Sequence, residues 1–137
     1  MSELASQFRP ALLRLSRILR NQRVDLSVTL TQLSALFTCR QHGPMSAGEL
    51  AAQEKVQPPS MTKVIAGLEE NGYVLREVDP NDRRQSIIAV TDAGRTLLDD
   101  ELRLRDAWLT RRLAELAPAE LAVIEAAIPV LFHLADQ

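Results

Sequence analysis

The chain has 137 residues, of which 46% are hydrophobic and 25% charged, enough for one domain of ordinary size with its own core. Its single cysteine, Cys39, excludes an intrachain disulfide framework, and its net charge of −2 excludes coating of nucleic acid by bulk charge. No apolar run is expected to approach a membrane span, and the opening MSELASQFRP lacks the apolar core of a secretory signal. The expected address is cytoplasmic, with no membrane partner. Charge is unevenly spread: residues 1–45 carry a net +4, residues 46–91 a net −2, and residues 92–137 a net −4. Any surface for a polyanion must therefore be local and turn its carboxylates away.

In chain order, the spacing predicts a first helix over about 6–24, where Phe8, Leu12, Leu15 and Leu19 recur at steps of three and four. Ser6 as its cap would leave Pro10 in the first turn, where proline is tolerated; an earlier start would put Pro10 inside the helix. Arg9, Arg17 and Arg20 fall opposite the apolar stripe, and Arg14 borders it.

A second helix is predicted over 31–42, with Leu33, Leu36 and Phe37 inward, stopping on His42-Gly43-Pro44. That triplet supplies a cation for the dipole, a glycine for the left-handed cap and a proline that cannot continue. His42 reads as the helix-end cation, and Cys39 as a small packing residue. One cysteine and two histidines make too poor a ligand set for a metal, and no cofactor is implied.

The most informative spacing lies in residues 46–72. Ser46-Ala47-Gly48-Glu49 has the S-x-x-E form of a capping box opening a short helix. After a brief connection, Pro58-Pro59 open another, with Met61, Val64, Ile65 and Leu68 inward and Asn71-Gly72 at its end. Two short helices joined by a tight turn, the second polar on its exposed N-terminal half, form a helix-turn-helix pattern. Residues 73–78 and 87–90 then read as strands flanking the polar tip Asp79-Pro80-Asn81-Asp82-Arg83-Arg84-Gln85-Ser86. A hairpin directly after a helix-turn-helix is a wing, here over about 73–91.

Thr91 is placed to cap a long helix over about 92–116, with Leu98, Leu102, Leu109, Leu113 and Leu116 along it. At 1.5 Å per residue it would span roughly 37 Å, overhanging so small a core. Pro118 and Glu120 open a last helix whose Leu121, Ile124, Ile128, Leu131 and Phe132 make a broad apolar face. The expected architecture is mostly α (α+β). Residues 31–91 form a winged helix-turn-helix, and residues 1–30 and 92–137 form long N- and C-terminal helices that dimerise.

The segment PPSMTKVIAGLEENGYVLREVDPNDRRQSIIAVTDAG, above all DPNDRR followed by VTDAG, resembles the MarR family of multiple-antibiotic-resistance-type regulators. The resemblance implies a homodimer that binds palindromic double-stranded DNA, usually as a repressor, and that small phenolic or aromatic anions such as salicylate-like compounds release. On it, Pro58, Ser60, Thr62 and Lys63 match the first half of the major-groove helix, and Asp82 and Arg84 match the wing D-x-R pattern. The arginine would enter the minor groove with the aspartate holding it, and Arg83 would meet phosphate or the groove edge. This is sound physics, because a narrow minor groove concentrates negative potential that attracts a guanidinium. By the phosphate preference of helix N-termini, Ser46 becomes a phosphate anchor. Arg14 and His42 are the expected cationic anchors of a ligand pocket.

Two features depart from the family pattern. Ala66-Gly67 stand where charged residues are common, and no cysteine lies near the start of the first helix, where peroxide-sensing members carry one. Two other readings are a winged-helix dimer acting as a protein-interaction module and a redox sensor using Cys39. An enzyme is not expected, since the chain shows no nucleophile–base pairing, phosphate-binding glycine loop or metal cluster.

Overall fold

The computed structural model describes residues 2–136. Six helices and three short strands follow in the order α1 (Ser2–Arg20), α2 (Leu30–His42), β1 (Met45–Ser46), α3 (Ala47–Glu54), α4 (Pro58–Glu70), β2 (Val74–Val78), β3 (Ser86–Val90), α5 (Asp92–Leu113) and α6 (Pro118–Ala135). The strands form one antiparallel sheet in the order β1-β3-β2. The hairpin register runs from Val74 opposite Val90 to Val78 opposite Ser86, and β1 pairs Met45 with Ile88.

The core lies between residues 28 and 98. Leu33 and Leu36 of α2, Leu50 of α3, Met61, Ile65 and Leu68 of α4, Ile88 of β3 and Leu98 of α5 are all buried. Burial of each such side chain is worth roughly 1.5–3 kcal/mol, and their convergence holds the four helices on the sheet. α1 and α6, by contrast, bury no residue. Leu15 is 57% exposed and Phe132 66%.

Local chemistry explains most boundaries. Thr29 and Gln32 form a reciprocal capping box at α2, their side chains accepting from each other's backbone N–H at 3.1 and 2.8 Å. The turn between α3 and α4 depends on Lys55, which adopts a left-handed backbone with φ of 55°. Its N–H and that of Val56 donate to Ala52 and Ala51 carbonyls, closing α3 before Pro58 restarts the chain as α4. Thr91 accepts from Gly94 N–H at 3.1 Å and caps α5 as expected.

Four expectations need correction. α1 begins at Ser2 and ends at Arg20, so Pro10 sits inside it, and Ser6 donates its hydroxyl to the Ser2 carbonyl at 2.8 Å instead of capping. The two-residue strand β1 was not foreseen, being too short to show a period. α5 ends at Leu113 because Glu115 and Leu116 bond back only three residues, tightening the last turn. Finally, α6 is an 18-residue helix of mean hydropathy 1.5, by length and composition enough to cross a membrane. The expectation that no run approaches that length fails, because Glu120 and Glu125 are its only carboxylates and it has no Lys or Arg.

Candidate nucleic-acid interface

α4 divides into two faces. Met61, Ile65 and Leu68 are buried, while Pro58, Ser60, Thr62 and Lys63 are exposed. Residues 58–68 carry Lys63 and no carboxylate; Glu69 and Glu70 follow only at the C-terminal end, and Glu69 is 3.5 Å from Arg76 of β2. The end of α4 favourable to phosphate is therefore free of repelling side chains. The Thr62 hydroxyl already donates to the Pro58 carbonyl at 3.0 Å, so toward a nucleic acid it is an acceptor and a methyl surface.

The wing tip is built from carboxylates. Asp79 is 8% exposed, and its Oδ1 accepts from Asn81 N–H at 2.8 Å while its Oδ2 accepts from Gln85 Nε2 at 2.9 Å. Its own N–H donates to the Gln85 carbonyl at 3.1 Å, so Asp79 clamps both ends of the tip. Inside that clamp Asp82 holds Arg84 in a fork: Nε donates to Oδ1 at 3.0 Å and a terminal nitrogen to Oδ2 at 3.3 Å. The Arg84 bonds hold the Asp82 carboxyl below its ordinary pKa. The Arg84 side chain remains 91% exposed, so the aspartate orients a guanidinium that still faces outward. Arg83, also exposed, sits beside Val78, Asp79 and Pro80.

Helix and wing belong to one unit. α4 ends at Glu70 with Asn71 as its C-cap, Gly72 turns with φ of 78°, and Tyr73 N–H donates to the Leu68 carbonyl at 2.9 Å, so β2 departs directly from the helix end. A Cβ on Gly67 would meet the Gln32 side chain, so Gly67 permits close packing of α4 on α2.

The structure places other sequence-selected residues differently. Ser46 is 6% exposed, pairs within the sheet, and accepts from Glu49 N–H at 3.1 Å. Its observed work is capping α3, which leaves almost no surface for a phosphate. Arg14 is exposed on α1, and His42 lines a shallow surface depression with Glu49 and Gln53. Neither borders the cavity of about 410 Å³ between α1, α2, the α3–α4 turn and α5. That cavity presents Arg20, Ser34, Phe37, Thr38, Glu54 and Arg105. Arg105 and Arg40 flank the Phe37 ring at 5.7 and 5.6 Å from its centroid. Cys39 is 2% exposed, and burial, then the Glu54 charge, push its thiol up to about 11. A protonated core thiol is a poor nucleophile, against the redox reading.

Sequence reasoning missed Asp79 and Gln85, which read only as turn residues, and Arg20 and Arg105 as cavity cations. An Asx-turn signature at Asp79-Pro80-Asn81 was available for the first. Nothing local marks the cavity arginines.

Comparison with known proteins decides the family. The MarR family profile matches residues 28–86, from α2 to the first residue of β3. The HTH-type transcriptional regulator MT0903.1 of Mycobacterium tuberculosis is 41% identical over 99% of this chain and 95% of its own length. The chain belongs to the MarR family. It is a DNA-binding transcriptional regulator with a winged helix-turn-helix fold, and its relatives are regulators, not enzymes. A putative transcriptional regulator of Pseudomonas aeruginosa superposes with a TM-score of 0.88 at 30% identity, covering 98% of this chain and 95% of that one. Bordetella bronchiseptica BpsR, whose DNA binding is regulated by 6-hydroxynicotinic acid, shares the fold with a TM-score of 0.66 at 22% identity, over 97% of this chain and 93% of its own.

Proposed function

We propose that this MarR-family chain is a cytoplasmic dimeric repressor whose two winged lobes read an inverted repeat in double-stranded DNA. The observation that carries the reading is the Asp82–Arg84 fork, an outward guanidinium already oriented on an exposed wing tip. Pro58, Ser60, Thr62 and Lys63 face the major groove, Arg84 enters the minor groove, Arg83 meets the backbone, and Asp82 and Asp79 hold the wing in shape.

Residues 1–30 and 92–137 supply dimerisation. Support comes from α1 and α6, which bury nothing within one chain while exposing Phe8, Leu12, Ile124, Ile128 and Phe132. A second copy gives this apolar surface a place out of water.

Ligand release belongs in the cavity, not at Arg14 or His42. Arg20 and Arg105 offer cations beside the Phe37 ring, which suits a small aromatic anion. The cavity touches both α1 and the DNA-binding lobe, so a ligand preferring one spacing of these parts would shift DNA affinity.

Fluorescence anisotropy on operator DNA tests the reading. Arg84→Ala should weaken binding by more than about 1 kcal/mol, a typical loss for a charge-assisted contact, with no fall in melting temperature. Affinity should also drop steeply with salt, each neutralised phosphate adding about −0.9 to the log–log slope. Equal affinity for wild type and Arg84→Ala removes the wing from the mechanism.

A further inference from the structure

α5 is anchored in the lobe by the buried side chains of Leu97 and Leu98 and by the 2.7 Å Arg40–Asp99 ion pair. α1 buries no side chain; it touches α5, and it is tied to the lobe through residues 21–29, which connect it to α2. That connection is gripped from two sides. Val24 N–H donates to Glu101 Oε1 at 2.7 Å, and Glu101, three turns into α5, is only 1% exposed. The next residue, Asp25, accepts the Tyr73 hydroxyl on Oδ2 at 2.7 Å. Its Oδ1 accepts the Ser27 N–H at 2.9 Å and the Ser27 hydroxyl at 2.6 Å, so the carboxylate is held by its own loop before it meets the tyrosine.

Tyr73 is the residue where the lobe's parts meet. Its N–H closes the end of α4, its carbonyl accepts Thr91 N–H at 3.0 Å, and Thr91 Oγ1 donates to the Gly72 carbonyl at 2.6 Å. Gly94 lies so close to the Tyr73 carbonyl that a Cβ there could not fit. Tyr73 thus joins recognition helix, wing and the root of α5 through its backbone, and α1's connection through its hydroxyl.

We infer that Asp25, Tyr73 and Glu101 form a clasp that sets where α1 leaves the winged lobe, and that they are positioning residues for operator spacing. The inference rests on the dimeric reading above. In such a dimer, the angle between α1 and the lobe contributes, with the root of α5, to how far apart the two recognition helices stand. Loosening the clasp changes that distance without altering any group that touches DNA. Hydrogen bonds to carboxylates are about twice as strong as neutral ones, which suits a small number of contacts to this task. Among the described residues, Glu101 Oε2 and Arg23 Nε are buried without a hydrogen-bond partner.

The test compares wild type with Tyr73→Phe and Asp25→Asn on inverted repeats of the selected spacing, on repeats one base pair longer, and on a single half-site. The preference for the selected spacing should fall by about threefold or more, the low end of coupling between contacting residues. Half-site affinity should stay near wild type, and melting temperature should fall only by the few degrees that loss of about one hydrogen bond brings. A general structural defect would lower all affinities together and leave the spacing preference unchanged, which overturns the inference. Tyr73→Phe removes one hydroxyl and keeps the ring, so it remains informative even if Asp25→Asn fails to fold.

If wild type itself selects no inverted repeat, the operator reading has failed and the clasp is judged separately. Spin labels at Arg9→Cys on α1 and Gln53→Cys on α3, in dimers diluted with unlabelled chain, report the distance between arm and lobe. A broader distance distribution in Tyr73→Phe supports the clasp; equal widths overturn it.

Discussion

The winged lobe and the helical arms satisfy their chemistry in opposite ways. From Val28 to Leu98 the chain closes a core on itself, with side-chain caps at the starts of α2, α3 and α5 and buried leucines on every helix of the lobe. α1 and α6 have the hydrophobic residues for a core and bury none of them. The lobe closes its own core and leaves Pro58, Ser60, Thr62, Lys63, Arg83 and Arg84 exposed. The arms leave their apolar side chains exposed within one chain, which supports the proposed dimer.

The largest expected effect breaks the arms alone. Ile128→Glu combined with Phe132→Glu places two carboxylates on the exposed apolar face of α6, and should convert a dimer into a 15.2 kDa monomer in analytical ultracentrifugation. Helical circular dichroism from the lobe should persist. A dimer that survives the double substitution moves the interface off α6. Next comes the lobe alone: Leu36→Ala, at a fully buried position, should cost about 2–5 kcal/mol in urea unfolding. The matching change Leu13→Ala, at a 56% exposed position on α1, should cost well under half of that if the two regions differ as described. Gly94→Ala should fall in the range of about 1–3 kcal/mol, because the added methyl meets the Tyr73 carbonyl and Val90 at the root of α5.

The smallest effect lies at the boundary between the regions. The bond to Asp25, then burial, push the Tyr73 hydroxyl up to about 12, and bonds from Ser27 and Tyr73 hold the Asp25 carboxyl below its ordinary range. Below the ordinary tyrosine pKa of about 10 both folded and unfolded chains keep the phenol proton, and the stabilisation is complete. As pH rises from there toward the folded value, the unfolded chain ionises first and the contribution is lost. On the acid side, Asp25 contributes above the ordinary carboxylate range and loses its contribution as pH falls through its lowered folded value. The difference in urea midpoint between wild type and Tyr73→Phe should therefore be widest near neutral pH and close at both ends. A difference that stays constant through pH 12 would separate the hydroxyl from this titration.

The same boundary marks where sequence reading stops. The end of α2 at His42-Gly43-Pro44, the start of α4 at Pro58-Pro59 and the Thr91 cap were legible because each depends on neighbours within four residues. The wing fork of Asp82 and Arg84 was legible for the same reason, being two residues apart. Ser46 was selected correctly as a cap but misread as a surface group, since pairing with Ile87 buries it and that contact is distant in sequence. Glu101 read as one more charge on a long helix. Its burial against Val24, and the bond from Tyr73 to Asp25, join residues 77 and 48 positions apart, beyond any local period. Arg14 and Arg20 both lie on α1, and only the fold shows that Arg20 borders the cavity.

The central claim is that two self-contained lobes, held apart by the arms, read two half-sites. Selection of binding sites from random double-stranded DNA by the purified full-length chain tests it most directly. The expected result is an inverted repeat whose half-sites lie about one helical turn, or a multiple of it, apart. A single unrepeated motif, or no enrichment at low salt, would contradict it.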